Sequence, residues 1–125
     1  MRLRSAWLGL GWLGVAGVVV LSLVPLPPMA GAEHGDKFGH ATTYALLMWW
    51  FGQAWMRRDV RARTAAGVLA LGVVLEFAQG WTGFRDFSLA DMVADALGIA
   101  LGWLLAPPRT PNLLQRAATY LARAG

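Results

Sequence analysis

Long uncharged runs separated by short charged ones set the organisation of this chain. Ala6 to Val24 carries no charged residue, and Phe38 to Met56 is a second such run, with His40, Thr42, Thr43, Tyr44 and Gln53 as its polar members. A third run, from about Thr64 to Trp81, stays apolar until Glu76, and a fourth extends from about Leu89 to Ala106. At about 1.5 Å rise per residue, each comes close to the length that crosses a hydrocarbon core roughly 30 Å thick. The pattern predicts an all-α, four-helix transmembrane bundle occupying residues 1–106, with spans near 6–24, 38–56, 64–81 and 89–106.

Turn-forming residues fall between the runs. Pro25, Pro27 and Pro28 end the first helix, because proline lacks the amide donor and restricts the residue before it. A loop through Gly31 and Gly35 follows, and Asp36 suits the start of the second helix as a cap or first-turn acid. The stretch Arg57 to Arg63 reads as a loop with four arginines and one acid, and Gly83 lies in a tight connection from Thr82 to Ser88. Pro107 and Pro108 stop the fourth helix. In the tail, 107–125, Leu113, Leu114, Ala117, Ala118 and Leu121 stand against Arg116 and Arg123, the pattern of a short amphipathic helix on a membrane surface. Arg2, Arg4 and the small residues Ala30-Gly31-Ala32 also fit a cleaved signal peptide. The first apolar run exceeds the usual h-region of about 7 to 15 residues, so a retained first span is expected.

Composition agrees with the membrane class. The 125 residues are 57% hydrophobic and 14% charged, against roughly 25% charged in ordinary soluble domains. Cysteine is absent, which removes disulfides, thiolate metal sites and cysteine nucleophiles. The net charge of +4 comes from arginines clustered between the runs, not from a basic face of the kind nucleic acid requires. With four spans, nine of the eleven basic residues share a side with both termini. The positive-inside rule makes that side cytoplasmic, and the expected setting is a bacterial inner membrane.

Ionisable groups remain beside these apolar runs, where they are costly and usually face a bundle interior or a water-filled cavity. Glu76 to Asp95 holds four of the seven acids, Glu76, Asp86, Asp91 and Asp95, with Gln79, Arg85 and Ser88 among them. Asp36, His40 and Tyr44 are spaced by four and share one face of the second helix, beside Lys37. Glu76 and Gln79 lie near the end of the third helix, and Asp91 and Asp95 are one turn apart on the fourth. Three helices thus bring polar groups to one depth, and a bundle can turn them toward a cavity open to the non-cytoplasmic side. Arg85 suits a carboxylate or a phosphate group through its planar fork. A hard-cation site from Glu76, Asp91 and Asp95 is chemically allowed but lacks diagnostic spacing, so neither a metal nor another cofactor is expected. Ala90, Ala94, Gly98 and Gly102 recur every four residues and predict close packing along the fourth helix, with a similar opportunity at Gly9, Gly11, Gly14 and Gly17 on the first.

Two blocks carry a family resemblance. Asp36-Lys37-x-x-His40-x-x-x-Tyr44-x-x-Leu47 opens the second helix, and Glu76-x-x-Gln79 precedes Arg85-x-x-Ser88-x-x-Asp91 and Gly98-x-x-x-Gly102. In order, spacing and placement, over roughly Asp36 to Ala106, the chain resembles the VanZ-like family of small bacterial membrane proteins. It departs from the usual pattern at Asp95, where the family more often has Asn, and at Phe84, where a glycine is common. The family is named for a protein linked to low-level resistance to teicoplanin, a glycopeptide antibiotic. The resemblance implies an envelope role and an amphiphilic, lipid-linked or glycopeptide ligand, without supplying a reaction. Two alternatives stand beside a binding protein. One is a membrane enzyme with His40 or Glu76 as general acid or base and Arg85 stabilising an anion; the other is a proton-coupled carrier using Glu76 or Asp95.

Overall fold

The computed structural model describes residues 2–24, 32–83 and 88–125, without the side chains of residues 32–36. The described residues form five helices: α1 (Arg2–Leu23), α2 (Ala32–Ala54), α3 (Arg58–Thr82), α4 (Leu89–Leu105) and α5 (Leu113–Ala124). Two expected loops are largely helical. Gly35 lies inside α2. Most of the arginine stretch forms the opening of α3, with Arg57 as an extended N-cap and Asp59 in the first turn. Arginine is a good helix former, so a basic cluster by itself does not mark a loop.

Of the described helices, α1 alone is both long enough and apolar enough to cross a membrane by its own composition, and a signal sequence has the same character. The expectation of four individually apolar spans is corrected accordingly. α2 and α3 have the length, at 23 and 25 residues, but interrupt their apolar runs with polar groups, and α4 is 17 residues long.

The closest approach in the bundle is between α2 and α4. Gly98 lies against the Ala41 carbonyl and Gly102 against the Ala45 carbonyl, so that a Cβ at either glycine would overlap backbone. Ala94 is buried on the same face, whereas Ala90, at the start of α4, is exposed. On α1 the glycines are less uniform: Gly11 meets the Phe51 ring, Gly14 reaches Leu47, and Gly9 and Gly17 touch nothing. α1 is fixed to α2 instead by Trp7 and Trp50, which stack at 3.8 Å. Each indole donates to the other's backbone carbonyl, at 2.9 and 2.8 Å.

Between the two ends of the bundle lies an apolar layer of Tyr44, Leu47, Met48, Val68 and Ile99, with Val15, Val18, Ala65 and Trp103 packed against it. The exterior is apolar as well. Leu10 and Leu13 on α1, Leu46 on α2, Val74 and Phe77 on α3, and Val93, Leu97 and Leu101 on α4 all face outward. Trp81 is 92% exposed and Phe38 75%. Among the described residues, Gln53, Arg61, Glu76, Gln79, Asp91 and Asp95 are buried, while the remaining arginines lie exposed at the ends of the bundle.

Candidate functional site

The polar residues gather at two ends, separated by the apolar layer. One end is acidic and is built from the start of α2, the end of α3 and the start of α4. α3 stops at Gly83, whose φ of 78° is the left-handed conformation that glycine adopts without strain. α4 starts at Ser88, whose hydroxyl accepts from the Asp91 amide at 3.2 Å. These two boundaries place Glu76 and Asp91 near each other across α3 and α4.

Glu76 and Asp95 are the most deeply placed acids, each 1% exposed. Glu76 Oε1 accepts from the Ser88 backbone N–H at 2.6 Å, so this carboxylate holds the N-cap residue of α4. Asp95 Oδ1 meets His40 Nδ1 at 2.9 Å, and the Nδ1–H tautomer makes His40 the donor. His40 Nε2 lies 3.8 Å from Asp91 Oδ2, within coulombic reach though beyond hydrogen-bond length. The Tyr44 ring lies parallel to that of His40, with centroids 6.5 Å apart. Tyr44 and Asp95 also border Gly72: a Cβ there would come 2.7 Å from Asp95 Oδ2 and 3.3 Å from the Tyr44 ring.

Each deep carboxylate is therefore half used. Glu76 Oε2 and Asp95 Oδ2 are buried and have no hydrogen-bond partner among the described residues. Buried polar atoms in native proteins nearly always have one, so such exceptions point to a role beyond holding the fold. Among the described residues these side chains form a packed cluster in which His40 is the partly exposed member.

The remaining sequence candidates divide. His40, Tyr44, Glu76, Asp91 and Asp95 converge, but Gln79 turns away, its amide donating to the Ser22 carbonyl of α1 at 3.1 Å. Ser88 serves as the α4 cap, and Lys37 is exposed. Arg85, Asp86 and the Asp36 side chain lie outside the described residues. Sequence reading passed over Gly72, although it stands one helical turn before Glu76 and its missing side chain is what admits Asp95.

An aspartate–imidazole pair can hold and pass a proton, so Asp95 and His40 offer acid–base chemistry. Among the described residues, no three His, Asp or Glu side chains are arranged to hold a metal ion.

The other end is basic and was read from sequence only as an orienting charge cluster. Arg61 is 6% exposed there. Its guanidinium donates to the Trp55 carbonyl at 2.7 Å and the Gly52 carbonyl at 2.8 Å, closing the carboxyl end of α2. Gln53 accepts from the Leu113 amide at 2.7 Å through its side chain and from Asn112 at 3.0 Å through its backbone, which docks α5. Comparison with protein-family models, with curated proteins and with solved structures finds no match to this chain.

Proposed function

We propose that this chain is a multi-pass membrane protein whose acidic end binds a hydrogen-bond-donating envelope ligand, in keeping with its resemblance to the VanZ-like family. The observation that carries this reading is the pair of buried, unpartnered oxygens on Glu76 and Asp95. Acids retained only as structural ties are expected to have both oxygens bonded, as buried polar atoms in native proteins nearly always are. Oxygens without partners suit a ligand amine or hydroxyl that completes the set.

The membrane setting rests on the inverted distribution of side chains. A surface carrying Leu10, Leu46, Phe77, Val93 and Leu101 is costly in water and ordinary in lipid, while Glu76, Asp91 and Asp95 are buried inside. α2 and α3, at 23 and 25 residues, are about 35 and 38 Å long, enough for a hydrocarbon core of about 30 Å. In this arrangement α1 to α4 cross the bilayer, the arginine-rich end is cytoplasmic and the acidic end faces outward.

The native chain has no cysteine, so single cysteines report topology directly. A cysteine at Lys37 should react with a membrane-impermeant maleimide on intact cells, and one at Arg58 only after permeabilisation. Identical labelling of both sites would defeat the arrangement. For the site, Glu76→Gln and Asp95→Asn should abolish a teicoplanin-tolerance phenotype conferred by the wild type while leaving insertion intact. Tolerance retained by both variants would sink the ligand reading, and turnover of a lipid-linked precursor by purified protein would replace it with the enzyme.

A further inference from the structure

A second site lies at the opposite end from the acids. A groove of about 590 Å³ runs between α5, the 107–112 connection and the end of α2. Its polar wall is one face of α5, where Arg116, Thr119, Tyr120 and Arg123 follow one another at helical spacing. Its other wall is apolar and includes Met56 and Pro107. No acid lines it. Asp59, the acid nearest in sequence to this end, is held by Arg57 in two bonds of 3.1 and 3.0 Å. Neither Arg116 nor Arg123 is paired with an acid among the described residues.

We infer that this groove binds the phosphate headgroup of an anionic phospholipid of the cytoplasmic leaflet, a proposal that rests on the membrane arrangement above. Two guanidinium groups two helical turns apart, with the Tyr120 hydroxyl between them, provide donors for phosphate oxygens, while Thr119 spends its hydroxyl hydrogen on the Gln115 carbonyl at 2.9 Å. The apolar wall suits the glycerol and the first methylenes of the acyl chains. Leu113 and Leu121 are exposed on α5, so the helix presents apolar surface to lipid beside its arginines. The docking of α5 through Gln53 and Asn112 fixes this face relative to α2, which separates a shaped site from a loose basic tail.

The test is native mass spectrometry of the full chain in detergent with phosphatidylglycerol or phosphatidylcholine. Two arginines near a lipid surface should favour the anionic lipid by about tenfold or more in the wild type. The preference should fall to near parity in R116Q/R123Q, with helicity unchanged by circular dichroism, and persist in R58Q/R63Q, which alters exposed arginines outside the groove. Parity in the wild type, an unchanged preference in R116Q/R123Q or an equal loss in R58Q/R63Q would overturn the proposal. Loss of the preference on adding inorganic phosphate would also overturn it, assigning the groove to a soluble anion. Alkaline carbonate extraction separates the two readings. Protein released from membranes defeats the membrane arrangement, whereas protein retained without lipid preference defeats only the headgroup site.

Discussion

The acidic and basic ends both bury charged side chains, but they satisfy them differently. At the basic end the Arg61 guanidinium is bonded to the carbonyls of Gly52 and Trp55, and its charge closes a helix terminus. The one remainder is the amide nitrogen of Gln53, an uncharged donor. At the acidic end, Glu76 and Asp95 each commit one oxygen, to Ser88 and His40, and leave the other unpartnered. Burying an ionised group without full satisfaction is among the most costly arrangements a fold can hold. Arg61 at the basic end therefore acts as a structural closure, whereas the acid pair at the other end is not accounted for by structure alone, with the Tyr44 to Ile99 apolar layer between them.

Substitutions can break or sharpen that contrast. The largest effect is expected at the α2–α4 seam on which both ends depend. Gly98→Val would force apart the backbones at Ala41 and should cost more than about 3 kcal/mol, enough to lose the folded bundle in a detergent unfolding titration. Gly67→Ala, at a position with no neighbouring atoms, should leave it intact.

Arg61→Ala comes next. It removes the bonds to the Gly52 and Trp55 carbonyls, one buried and one part-buried, and should destabilise by about 3 kcal/mol in the same titration. A loss below about 1 kcal/mol would remove the structural reading of the basic end.

Glu76→Gln and Asp95→Asn should behave in the opposite way. Each amide retains an oxygen for the existing bond, so stability should change by no more than about 1 kcal/mol while ligand-dependent tolerance disappears. A large destabilisation with tolerance preserved would make the acidic end structural and erase the contrast. The smallest effect belongs to the exposed Arg57–Asp59 pair, where Arg57→Gln should cost at most about 0.5 kcal/mol in the same measurement.

Much of this was legible before any coordinates. The four apolar runs correspond to α1 to α4, and the proline and glycine boundaries stand within a few residues of the observed ends at Leu23, Thr82 and Leu105. The spacing of four between His40 and Tyr44, and between Asp91 and Asp95, places each pair on one face, and those faces meet. The start of α2 and the arginine stretch were misjudged, because a sequence window weighs charge and glycine without the packing that makes a helix worth extending. Gln79 was grouped with the acids by proximity in the chain, yet its amide donates to α1, whereas Ser88 joins them through its backbone N–H to Glu76 while its hydroxyl caps α4.

By itself the sequence determined helices, their order and the faces on which polar groups lie, because these follow from local periodicity and from residues that stop helices. Only the tertiary structure decided that Gly72 makes room for Asp95, that Arg61 turns inward to close α2, and that Glu76 and Asp95 each keep one oxygen without a partner. Those outcomes depend on how far helices approach and rotate about one another. The approach is set by the glycine contacts of the α2–α4 seam, which no single helix contains.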